Sequence, residues 1–214
     1  MTVILACTFP GGAAIAADTL LHNPDTMRPV MNSSKILTIG TRVAIAQAGS
    51  FTGTESVWEK LERLPSESAT PKSVADAIME YAHPMYLQKS ATGATTLRYL
   101  VAGLEADGTP AIRWLGFDTG DFTGVTGECQ VVALGTQPNV QEIAMLSLRG
   151  SLKSFSNSVR LDEWCRRVVA AEVAASPQAV GFPAILVVLK QSGGFGKQIN
   201  PDDVPEPAYE VFWP

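Results

Sequence analysis

Two hairpins in the first 49 residues constrain this chain more than any other feature. Val3 to Phe9 is apolar and β-prone, Pro10-Gly11-Gly12 breaks it, and Ala13 to Ala17 resumes it before Asp18. A second pair follows: Lys35 to Ile39, a turn at Gly40-Thr41-Arg42, then Val43 to Ala48, ending at Gly49. From Ser50 the period turns helical, with Phe51, Val57, Trp58, Leu61 and Leu64 near one face and Ser50 or Thr52 as cap. A second helix is capped by Thr70, carries Pro71 in its first turn, and runs through Val74, Ile78 and Tyr81 to a kink or end at Pro84. Residues 96–132 read as an antiparallel meander. Helical signal returns over 140–148 and 161–174, and the unbroken apolar run Pro183 to Leu189 reads as a strand buried on both faces. The order ββββ, αα, βββ, αα, β places each sheet between a second sheet and a helical pair. The expected fold is therefore α+β, a four-layer αββα sandwich.

A length of 214 residues suits one such domain. We assign residues 1–190 to it and 191–214 to a C-terminal tail, rich in Gly and Pro until the aromatic end Tyr209-Glu-Val-Phe-Trp-Pro214. A net charge of −5 leaves no basic face for phosphates, so nucleic acid is not an expected partner. Cys7, Cys129 and Cys165 show no CxxC spacing, and His22 and His83 are the only histidines. Neither a metal site nor a disulfide framework is expected, and a reducing, cytoplasmic setting is. No export signal is read at the start, and no apolar run reaches the length of a membrane helix.

Triads built on a histidine lack a nucleophile in a strand-to-helix elbow, and P-loop, GxSxG and dinucleotide fingerprints are absent from the sequence. The strand ends carry more. If the first hairpin turns around Gly11, with Phe9 opposite Ala13, Thr2 faces Leu20 with Asp18 diagonally adjacent. If the second centres on Thr41, Lys35 faces Gln47, close to Gly49. A hydroxyl, a carboxylate, a lysine and a glycine amide then gather at one end of the strands. Threonine is a weak nucleophile, but as a first residue its own α-amine can serve as base, which calls for removal of Met1. Lys35 would lower the hydroxyl pKa, Asp18 would hold the lysine, and the Gly49 N–H would meet an oxyanion. Taken singly, each is explained as well by a strand-start threonine, a turn acid, a surface charge or a hinge glycine.

The run from Thr2 through Gly12 to Asp18-Thr19, followed by Ser34-Lys35-Ile36 and Ala46-Gln-Ala-Gly49-Ser50, resembles the amino-terminal half of a proteasome β-type subunit, an N-terminal-nucleophile hydrolase. The resemblance extends in element order over residues 2–190. In character it is nearest the bacterial members, particularly the betaproteobacterial proteasome homologue. It implies Thr2 as nucleophile and base, Asp18 and Lys35 as activators, Gly49 as oxyanion donor, and Gln47 and Leu20 as substrate-binding residues, with Gln47 at the base of the first pocket. No cofactor is implied. Three positions depart from the family: Leu20 stands in place of an arginine, Leu134 in place of a supporting serine, and no acid occurs around Ser176-Pro-Gln178.

Two functions follow from the resemblance. One is a threonine-type peptidase acting on peptides or unfolded segments inside a homo-oligomer of stacked rings, 12–14 subunits in all by family analogy. The other is a ring without peptidase activity that serves as a binding or scaffold particle. Whether an ATPase feeds the rings is open. A charged fraction of 17% with mean hydropathy of +0.12 favours self-association. Phe51, Trp58, Leu61 and the helix over 140–148 are the candidate contact surfaces, and the aromatic tail could add an edge strand or reach a neighbour.

Overall fold

The computed structural model describes residues 2–23, 26, 28–49, 55–91, 95–153 and 157–214. Two five-stranded antiparallel sheets form the centre. In the first, β10 (Val131–Leu134), β1 (Ile4–Phe9), β2 (Gly12–Asp18), β13 (Ala184–Lys190) and β14 (Gly193–Ile199) lie side by side in that order. In the second the order is β5 (Ile36–Ile39), β6 (Val43–Gly49), β7 (Leu97–Leu104), β8 (Pro110–Gly116) and β9 (Asp121–Thr126).

Three apolar clusters define the layers. Leu5, Cys7, Phe9, Ala14 and Ala16 pack with Ala144, Leu148, Trp164, Val168 and Val169 of α3 (Val140–Gly150) and α4 (Leu161–Ala175). The alternate residues Ile4, Ala6, Ala13, Ile15 and Ala17 pack against Ala44, Ala46, Leu100 and Ala102 of the second sheet. Val43, Ile45, Tyr99 and Val101 in turn meet Val57 and Leu61 of α1 (Glu55–Glu62) and Val74 and Ile78 of α2 (Pro71–Ser90). Alternate side chains of one strand thus serve two different cores, which is why β1 and β2 read as apolar throughout. The αββα sandwich is the observed fold.

The second hairpin has the expected register, Ile36 opposite Ala46 and Ile39 opposite Val43. The first is shifted by one residue, with Phe9 opposite Gly12 and Ile4 opposite Ala17. Its turn is the two-residue Pro10-Gly11 pair, proline supplying the first corner and Gly11 (φ +74°) the left-handed second one. Leu20 consequently does not face Thr2: it begins a short strand, β3 (Leu20–His22), paired with β4 (Pro29–Asn32).

Helix α2 begins as expected, with Thr70 and Ser73 in a reciprocal capping box and Pro71 in the first turn. It does not end at Pro84 but continues to Ser90. Proline forfeits one hydrogen bond there, while Met85 and Tyr86 beyond it gain packing against the core. The cap expected at Ser50 or Thr52, and the contact residue Phe51, lie outside the described residues. Of the other expected contact residues, Leu61 is fully buried under its own sheet and Trp58 packs partly on it. On α3, Met145 and Leu146 are exposed.

The segment beyond residue 190, read as a tail, completes the fold. Glycine alternation over Gly193-Gly-Phe-Gly196 resembles a linker, yet it forms β14, paired with β13 from Lys190↔Gly193 to Ala184↔Ile199. After a short turn at Pro207–Tyr209, β15 (Glu210–Phe212) joins β12 (Ser158–Arg160), which also pairs with β11 (Leu152–Lys153). Tyr209 and Val211 are buried in the helix-side core, Tyr209 edge-on to Phe195 with ring centroids 5.3 Å apart.

Candidate active site

At the end of β2 the chain leaves the sheet, and the carboxylate of Asp18 takes over the bonds that the ladder no longer supplies. Its Oδ1 accepts from the Val3 N–H at 3.0 Å and its Oδ2 from the Leu20 N–H at 3.2 Å. This closes the mouth between β1 and β3. Asp18 is fully buried, and a buried carboxylate needs partners. The third is Lys35, whose Nζ donates to Asp18 Oδ1 at 3.0 Å.

Lys35 precedes β5, and the Gln47 N–H of β6 donates to its carbonyl at 3.1 Å, so the backbone on both sides of the lysine is tied to the second sheet. Only 4% of the Lys35 side chain is exposed. From there its Nζ also donates to Thr2 Oγ1 at 2.9 Å. Thr2 is half-buried at the end of β1. The lysine thus crosses from one sheet to the other and joins an acid and a hydroxyl of the first. By strand parity Asp18 belongs to the helix-facing side and Thr2 to the side between the sheets. They meet because both lie where the strands end.

Burial acts on both ionised partners. It pushes the Asp18 carboxyl up from its ordinary value, with Lys35 and the two N–H donors opposing, and pulls the Lys35 ammonium down, with Asp18 opposing. A lysine lowered in this way sits nearer the range in which it can exchange protons.

Gln47 is buried, opposite Tyr99 in the register of β6 and β7. Gly49 closes β6 opposite Leu97, exposed and at φ +109°. A Cβ on Gly49 would lie 2.1 Å from the Thr96 carbonyl oxygen, so only glycine fits. Leu20 contributes its N–H to Asp18, but its side chain packs on Gly181 rather than facing Thr2. His22 hydrogen-bonds the Gln178 carbonyl, and His83 lies beside Phe117. Among the described residues, no three His, Cys, Asp or Glu side chains are grouped to hold a metal ion.

A further buried polar group lies on α4, on the helix side of the first sheet. Glu172 of α4 is fully buried and accepts from the Thr136 N–H (2.8 Å), the Thr136 hydroxyl (2.6 Å) and the Gln137 N–H (3.3 Å). The sequence carried a signal for it: an acid on the apolar stripe Cys165, Val168, Val169, Glu172, at helical spacing.

A four-layer αββα sandwich with a threonine, a lysine and an aspartate bonded together at the start of its first strand has the architecture of the N-terminal-nucleophile hydrolases. The family model described as proteasome subunit matches residues 2–146, and the chain belongs to that family. No curated protein matches the chain significantly.

Proposed function

We propose that the protein is a threonine-type peptidase whose nucleophile is Thr2, exposed as first residue by removal of Met1. The observation that carries this reading is the bridge made by Lys35 Nζ between Thr2 Oγ1 and Asp18 Oδ1. The Lys35 charge stabilises an alkoxide forming on Thr2, and Asp18 keeps the lysine in place. The free Thr2 α-amine takes the hydroxyl proton as Oγ1 attacks a peptide carbonyl. The resulting oxyanion is met by the Gly49 N–H. Collapse breaks the C–N bond, and the ammonium returns its proton to the leaving amine. Water, deprotonated by the same amine, then hydrolyses the ester and restores Thr2. Gln47 forms the polar base of the first substrate pocket, and Leu20 shapes its side through Gly181.

The family's stacked-ring assembly supports a homo-oligomer of 12–14 subunits that acts on peptides or unfolded segments. Among branches, the bacterial β-type, particularly the betaproteobacterial homologue, fits the chain's size. Among the described residues, no helix is long and apolar enough to cross a membrane. A second reading, a ring without peptidase activity, draws on Leu134, an aliphatic side chain where the family has a serine.

Intact-mass analysis with an electrophile selective for N-terminal threonine separates the two. The peptidase reading expects one adduct on Thr2, and none on Thr2→Ala. An unlabelled, correctly processed protein supports the scaffold.

A further inference from the structure

Two bonds made by Gln141 of α3 have no part in the chemistry just described. Its Oε1 accepts from the Ala133 N–H at 2.7 Å, and its Nε2 donates to the Val131 carbonyl at 2.7 Å. Both partners lie in β10, an outermost strand of the first sheet. In an antiparallel ladder the backbone groups of alternate residues turn to opposite sides. The Thr8 N–H of β1 donates to the Gln130 carbonyl at 2.9 Å, so the even residues of this segment turn toward β1, and Val131 and Ala133 turn outward. Gln141 therefore bonds the edge at a donor and an acceptor that a further strand would take. Its side-chain amide carries the same N–H and C=O as a peptide group and stands in for that strand.

The edge needs such a cover. Exposed strand edges are templates for pairing with another chain, and proteins blunt them with charged side chains, prolines or bulges. Lys197 puts a charge on β14, the other edge strand of this sheet. From Cys129 to Leu134 there is neither a charge nor a proline, and Val131-Val132-Ala133-Leu134 is apolar and β-prone. Met145, one turn beyond Gln141 on the same stripe of α3, is exposed, so the helix beside the edge offers apolar surface as well.

The edge also matches itself. About a two-fold axis through Val132, Val131 of one copy stands opposite Ala133 of a second copy, and each such pair exchanges two N–H···O bonds. No like charges oppose each other, because residues 129–134 carry none. We propose that the outer edge of β10 is a pairing edge for the same strand of a second copy, and that the Gln141 amide occupies it and keeps subunits from joining there. Neither half of this needs Thr2 to be a nucleophile.

The test uses the full-length protein, wild type and Gln141→Ala. Hydrogen exchange of the Ala133 amide in dilute solution is expected to quicken roughly tenfold or more in the variant, because its bonding partner is gone. Native mass spectrometry over rising concentration is expected to show the variant joined into twice the wild-type mass or more, with the Ala133 amide protected again. Gln141→Glu, which keeps an acceptor for Ala133 and adds a charge at the edge, is expected to stay at the wild-type mass. Wild-type exchange at Ala133 in Gln141→Ala overturns the cap, and an unchanged mass at every concentration overturns the pairing. If Gln141→Ala does not fold, Gln141→Asn, one methylene shorter, decides by the same two readouts.

Discussion

Lys35 and Asp18 are 3.0 Å apart with side-chain exposures of 4% and 0%, so neither charge has water as an alternative partner. Removing one leaves the other buried and uncompensated, which typically costs about 3–5 kcal/mol. Asp18→Ala is therefore expected to lower the melting temperature markedly, whereas Asp18→Asn retains some of the bonding to Val3 and Leu20 and loses less. Differential scanning calorimetry checks the order; equal losses contradict it.

Lys35→Ala is expected to reduce peptide turnover by on the order of 100-fold or more, because the cation 2.9 Å from Thr2 Oγ1 is gone. Lys35→Arg should rescue poorly, since a planar fork cannot reproduce a point charge between two oxygens. Normal hydrolysis by both variants would remove Lys35 from the mechanism.

Turnover should follow a bell-shaped pH profile. The rising limb reports loss of a proton from the Thr2 amine, ordinarily at about 7.7–8.0. The falling limb reports loss of the Lys35 charge. Burial lowers this group, so activity should decline below its ordinary 10.5 rather than at it. A profile flat to beyond that value contradicts the assignment.

Gly49→Ala should be poorly tolerated even before chemistry is considered. The added methyl would meet the Thr96 oxygen at 2.1 Å, and the φ of +109° is unfavourable for any L side chain. The expected outcome is misfolding at the end of β6, seen as early amide-exchange loss at 47–49 and at 97–99. Unchanged exchange there would show that the strand end relaxes freely.

Gln47 is buried beneath the proposed first pocket. A fluorogenic peptide library should show polar or small residues preferred before the cut, and Gln47→Val should move the preference toward aliphatic ones. A strict aliphatic preference in the wild type would contradict the pocket assignment.

Deleting residues 205–214 should lower subunit stability as well as weaken any particle of 12–14 subunits seen by native mass spectrometry. Tyr209 and Val211 leave the subunit's own core in that truncation. The strand should also be acid-sensitive, because Lys153 and Ser158 hold the Glu210 carboxyl down at about 2. A carboxyl held lower in the folded than in the unfolded state stabilises above its ordinary 4.5, and that stability is lost as pH falls toward 2. Glu210→Gln should flatten this acid limb.

Much was legible along the chain because local rules govern it. Turn residues, capping at Thr70 and helical spacing gave the two leading hairpins, the four helices and β13, though not β3, β4, β11, β12, β14 or β15, and the three-residue turn at Gly40-Thr41-Arg42 correctly placed Lys35 beside Gln47. Thr2, Asp18 and Lys35 could be brought together from strand ends alone. Their meeting survives a one-residue error in the first hairpin, because all three lie where strand parity ceases to apply.

Other features were decided only by residues far apart in sequence. Whether Gly193-Gly-Phe-Gly196 is linker or strand depends on a free edge of β13. Whether α2 survives Pro84 depends on the core that Met85 and Tyr86 join. The bond between Glu172 and Thr136 spans 36 residues, and no local pattern specifies where a buried acid finds its donors. Propensity and periodicity act over a few residues and set what each segment becomes. The pairing of edges and the compensation of buried charge are settled when the layers close, since only then is water removed from the groups that must find one another.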